Sequence, residues 1–159
     1  LAVLWNRSSE PSWQAAQATL RQLRWNAFSL EIHNVDEIDS ALRKAVAAKA
    51  GALLVFAASA LYPHAQRVTD QVAKHRLPAM YELRSYVEAG GLVSYGADIN
   101  DIWRRSAVFV DKILKGSRPA DLPIEQPTKF ELVINLKAAR ALGLTVPQAM
   151  LLRDEEVIQ

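Results

Sequence analysis

The side chains able to do chemistry in this chain sit in short polar clusters, each following an apolar run. Asn6, Ser8, Ser9 and Glu10 follow residues 1–5, and Ser59 and Tyr62 follow 51–56. Glu82 follows 79–81, while Tyr95 and Asp98 close the run that begins at Leu92. Hydroxyls beside free backbone N–H groups at a helix start suit a carboxylate, because unsatisfied donors and the macrodipole favour an anion there. Asp98 suits an ammonium. Each group also has a structural reading. Ser8, Ser9 and Asp98 stand where helix N-caps are expected, and Tyr62 and Tyr81 are read equally as packing residues.

Patterns for catalysis are missing. His33, His64 and His75 fall in different elements without metal-ligand spacing, and read as surface or packing residues. The absence of cysteine excludes disulfides, thiolate nucleophiles and cysteine-based metal sites. The six glycines are too dispersed to cradle phosphate, and no nucleophile elbow occurs. The sequence therefore predicts no enzyme, no catalytic or metal-binding residue and no cofactor. The 19 cations and 17 anions nearly balance, and no basic stripe alternates with aromatics, so no nucleic-acid partner is expected. Asp154, Glu155 and Glu156 read as a solvated tail or last turn.

These clusters need elements to position them. Length and a 50% hydrophobic composition suit one ordinary domain with a real core. Strands are expected near 1–5, 28–33, 52–56, 79–81, 92–95 and 130–134. Trp13, Ala16, Leu20 and Leu23 recur at helical spacing, as do Ile38, Leu42 and Ala45 behind a plausible cap at Asp36. Further helices are expected at about 61–75, through Val87, at 99–115 and at 136–142. The tryptophans at 5, 13, 25 and 103 follow element periodicity and read mostly as core. Strands alternating with helices predict an α/β fold, a parallel sheet with helices on both faces. In such sheets ligands bind beyond the carboxyl ends of the strands, where the polar clusters lie.

Several stretches carry a resemblance: Glu88–Gly96 (EAGGLVSYG), Val110–Gly116 (VDKILKG) and Pro119–Lys137 (PADLPIEQPTKFELVINLK). With Ala141–Leu144, Leu151–Arg153 and the opening Val3–Asn6 followed by Ser8 and Ser9, they resemble the ABC-transporter substrate-binding family, which includes tryptophan- and tyrosine-type amino-acid receptors. The resemblance implies one lobe of a type I periplasmic-binding-protein fold, in which two α/β lobes joined by three crossovers close on a small ligand. By that likeness, residues 1–91 are the first part of the ligand-binding lobe, 92–123 belong to the other lobe, and 124–159 return. The opening at Leu1 without Met suggests a fragment, with most of the other lobe expected upstream.

Ligand contacts carry over to Ser8, Ser9, the Ala58–Ser59 loop, Tyr95 and Asp98. The implied ligand is an amino acid, with aromatic ones favoured, or a related organic acid. The implied partner is an ABC permease in the membrane, and the implied location is periplasmic or extracytoplasmic. The chain departs from the amino-acid receptors at Phe56–Ala60 (FAASA), where they tend to carry a Pro-Thr-Asp-Asn-like polar loop. One rival reading shares the two-lobed fold: the effector-binding domain of a transcription regulator, which a DNA-binding segment upstream would favour and a signal peptide would exclude. A flavodoxin-like enzyme or response-regulator domain would need an acidic pocket or phosphate loop that the sequence lacks. The 99–115 helix carries Ile102, Phe109 and Ile113 on one stripe with Trp103, Val110 and Leu114 beside it, too wide an apolar face for a solvated helix. With Ser117–Pro127 as hinge, the isolated fragment is expected to self-associate by exchanging that helix.

Overall fold

Short apolar runs divided by cap-forming residues leave little room for anything but strand–helix alternation, and the computed structural model shows it. It describes residues 1–151 and 156–158. Strands are β1 (Ala2–Trp5), β2 (Phe28–Glu31), β3 (Leu53–Val55), β4 (Ala79–Tyr81), β5 (Val93–Ala97), β6 (Phe130–Asn135) and β7 (Glu156–Ile158). Helices are α1 (Glu10–Gln22), α2 (Ile38–Ala47), α3 (Ala65–Lys74), α4 (Arg84–Glu88), α5 (Ile99–Leu114), α6 (Leu136–Leu142) and α7 (Gln148–Leu151). The sheet order is β2-β1-β3-β4-β5-β6-β7.

Period-two alternation divides the core between the two faces of the sheet. Leu4, Leu53, Val55 and Tyr81 join Leu42 and Ala45 of α2 and Val68 and Val72 of α3 in one buried cluster. Val3 and Trp5 point the other way and pack with Trp13 and Leu20 of α1. The Trp5 and Trp13 rings stack at 6.1 Å, and Trp5 Nε1 donates to Ser29 Oγ at 2.6 Å. Helices therefore cover both faces, as the sequence predicts.

Several local expectations need correction. β5 and β6 run antiparallel, while the other described strand pairs are parallel. The chain leaves the sheet at Asp98 and re-enters at Lys129, whose carbonyl accepts from the Asp98 N–H at 3.1 Å. A connection that leaves and returns at one rim must reverse the strand. β5 lies within this sheet between β4 and β6.

Trp25 and Trp103 are exposed rather than core, and Leu23 lies beyond the buried stripe of α1. Asp36 is not the cap before α2: the Asn34 side chain accepts from the Asp36 N–H at 2.9 Å. The expected 61–75 helix begins as a separate 3-10 turn, Tyr62–His64, before α3. β7 was not expected. Leu152 and Arg153 of the resemblance, and Asp154 and Glu155 of the acidic cluster, lie outside the described residues.

α5 stands apart from this packing. None of its residues is buried; Trp103 is 71% exposed and Leu114 82%. Ile124, on the return path, is fully exposed.

Candidate functional site

Because β1, β3, β4 and β5 are parallel, their carboxyl ends share one rim. Ser8 and Ser9 leave β1 there, Ser59 and Tyr62 leave β3, Glu82 leaves β4 and Asp98 leaves β5. The antiparallel β6 brings Lys129 and Glu131 to the same rim.

The turn after β1 is closed on itself. The Asn6 side chain accepts from the Ser8 backbone N–H at 3.0 Å and from the Ser8 hydroxyl at 2.6 Å. Ser9 is buried; its Oγ accepts from the Asn6 N–H at 3.2 Å and donates to the Asn6 carbonyl at 3.0 Å. Together these bonds form a capping box with Asn6 as the N-cap residue, ahead of the serines that the sequence offers as caps. Ser9 occupies the N-cap position of α1 without a side-chain cap bond, and Pro11 lies in the first turn, where a missing N–H costs nothing. Ser9 thus holds the turn, while Ser8 remains exposed.

Ser59 is exposed in a turn after β3. The adjoining loop is fixed by a contact that sequence spacing does not reveal: Glu82 Oε2 accepts from the Ala57 N–H at 2.6 Å. β4 and β5 approach so closely here that a Cβ on Gly96 would lie 1.9 Å from the Glu82 carbonyl oxygen. Tyr95 stacks on Phe130 at 6.1 Å, with about half of its surface open (52%). Tyr81 and Tyr86 stack in the core at 5.0 Å, and burial, reinforced by the Glu82 carboxylate, pushes the Tyr86 hydroxyl up to about 12.

Asp98 is buried and doubly engaged. Its Oδ1 accepts from the Asp101 N–H at 3.0 Å, capping α5, and its Oδ2 accepts from Lys129 Nζ at 2.8 Å. The Lys129 ammonium, then the Asp101 amide, hold its carboxyl below the usual carboxylate range. Asp98 therefore caps α5 with one carboxylate oxygen and pairs with a lysine of the same chain through the other. The Lys129 partner lies 31 residues away, beyond local patterning. Beside it, Arg84 bridges Glu88 at 2.7 Å and the buried Glu131 at 3.1 Å, flanking a concavity of about 160 Å³ that also touches Tyr62, Ser85 and Asn100.

The rim therefore gathers alternating carboxylates and cations with hydroxyls and an open aromatic ring. Such groups orient a small polar ligand by hydrogen bonds and charge. Among the described residues no group of three or more His, Cys, Asp or Glu could hold a metal. His33 lies at the surface beside Glu37, and His75 pairs with Asp39 between α3 and α2, away from the rim.

The family described as "ABC transporter substrate binding protein" matches residues 2–158. No curated protein matches the chain. Among solved structures, a conserved domain protein from Vibrio cholerae superposes with a TM-score of 0.89 at 23% identity, over 98% of this chain and 53% of that one. The ABC domain in complex with L-Trp from Streptococcus pneumonia gives 0.89 at 24% identity, over 99% and 54%. A ligand-free, open substrate-binding protein with adhesive properties from Clostridium difficile gives 0.71 at 18%, over 99% and 54%. At these identities the likeness is one of fold, and the chain spans about half the length of each structure.

Proposed function

The chain belongs to the ABC-transporter substrate-binding protein family, and from that premise we propose that it captures a small organic ligand between two lobes for delivery to a membrane permease. The observation that carries this reading is the family match across residues 2–158. The role is binding, not catalysis. An amino acid, aromatic ones favoured, or a related organic acid is the ligand class; the L-Trp held by the Streptococcus pneumonia domain supports it. The ligand meets the rim at Ser8, Ser59, Tyr95 and Asp98, with Ser9 acting through the turn it holds. An ammonium group would compete with Lys129 for the Asp98 carboxylate, and the open Tyr95 ring offers a stacking face.

The lobe itself comprises 1–91, β5 and the return from 124, and the second lobe receives the rest of 92–123, with α5 as its main element. The exposed Trp103 and Leu114 are the residues it would cover. Ligand binding shifts the open–closed equilibrium, and the permease reads the closed form. The location that goes with this role is periplasmic or extracytoplasmic. Among the described residues no helix is long and apolar enough to cross a membrane.

The test is mass spectrometry of the denatured protein for a small molecule carried through purification, followed by calorimetric titration of that molecule. The expected outcome is an amino acid or small organic acid whose affinity falls in Asp98→Ala and Tyr95→Ala variants. A sugar or nucleotide at that step, or affinity unchanged in both variants, overturns the assignment.

A further inference from the structure

A further concavity lies away from this rim. About 630 Å³ opens between α3, α4, α6 and β7, at the end of the sheet where β4 begins and β6 ends. Its size falls in the range of small-molecule sites, roughly 300–1,000 Å³. Val72, Ala79, Leu92, Ala138 and Leu142 give it an apolar lining. The Asn135 side chain, only 6% exposed, also lines it. Asn135 Oδ1 accepts from the Ala138 N–H at 3.0 Å, which leaves the amide nitrogen as the donor this side chain can offer a ligand. Arg76 and Lys137 stand in the same lining, and neither has an ion pair among the described residues. Among the described lining residues the one carboxylate, Glu88, is already paired with Arg84 at 2.7 Å.

We infer that this cavity is a second binding site, taking a small amphiphilic carboxylate: its apolar chain lies against α3 and α6, and its head group meets Asn135, Arg76 and Lys137. An apolar pocket with a few polar donors and two cations that form no ion pair among the described residues selects that combination over a neutral or cationic amphiphile. The site is separate from the ligand rim, since Asn135 and Asp98 terminate opposite ends of the β5–β6 pair. Occupancy would tie α6 and β7 to α3 and stiffen that edge of the sheet.

Octanoate is the probe, with octylammonium as the charge-reversed control. Octanoate should raise the melting temperature and move the NMR methyl signals of Val72, Ala138 and Leu142. Octylammonium should do neither. A double R76Q/K137Q variant should weaken octanoate about tenfold, the size of one charge-assisted contact. Filling the cavity by Ala138→Trp, or by Ala141→Phe should the first variant lose its native circular dichroism, should abolish binding. Equal binding of octylammonium, signals that move only at the Ser59–Asp98 rim, or no binding of octanoate to the unaltered chain would overturn the inference.

Discussion

Replacing Gly96 by alanine tests a close backbone approach between β5 and Glu82. The added Cβ would sit 1.9 Å from the Glu82 carbonyl oxygen, whereas such contacts almost never fall below 3.0 Å. The obstacle is main chain, not a side chain that could swing away, so β5 must retreat from the Glu82 segment by about 1 Å. Neighbouring strands hold a spacing of about 4.8 Å set by their hydrogen bonds, and a displacement of that size strains the ladder. Overpacking of this kind costs about 1–3 kcal/mol, occasionally more, and the backbone obstacle puts Gly96→Ala near 3 kcal/mol. For a chain of this length that corresponds to a fall in melting temperature of roughly 6–12 °C. Gly51→Ala is the matched control, because a Cβ there meets nothing within 4 Å. It should change stability by less than about 0.5 kcal/mol. Urea denaturation followed by circular dichroism gives both values. If Gly96→Ala unfolds at the same urea concentration as the parent, the close approach of β5 to Glu82 is not a feature of the protein.

Trp13→Ala removes the ring that stacks on Trp5 between α1 and the sheet, and should cost about 3–5 kcal/mol in urea unfolding, as large-aromatic deletions do. Asp98 has a lowered folded-state pKa, so its contribution is fully present above the ordinary carboxylate value of 3.8 and is lost as pH falls through the lower folded value. An NMR titration should show Asp98 ionising below that ordinary value, and its pKa should rise in Lys129→Met; an unchanged pKa there would remove the ion pair from the account. Asp98→Asn should keep the Asp101 amide protected from hydrogen exchange, whereas Asp98→Ala should lose that protection. The exposed Trp103 and Leu114 should make the isolated chain self-associate, and light scattering should report less of it for Trp103→Glu; a monomer at all concentrations counts against the helix-exchange expectation.

Much of the architecture is legible residue by residue. The fully apolar run at 52–56 announces a central strand, Ile38, Leu42 and Ala45 announce the buried face of α2, and Gly143 ends α6 in the left-handed conformation that glycine tolerates. These signals are local: periodicity, capping and chain stiffness act over a few residues, so the sequence by itself determines β1 to β6, most of the helices and the rim to which the polar loops belong. Lys129 against Asp98, Glu82 against Ala57 and the cavity between α3 and α6 join residues distant in the chain. So does the reversal of β6, set by where the chain returns and not by any pattern within the strand. The same holds for burial, since Trp13 and Trp103 both lie on helical stripes, yet only Trp13 has a sheet to face. Ser9 shows the division within one side chain. Its hydroxyl is readable from sequence as a binding or capping group, but only the folded turn decides that both its donor and its acceptor are spent on Asn6, because hydrogen-bond partners are fixed by three-dimensional proximity and not by residue type.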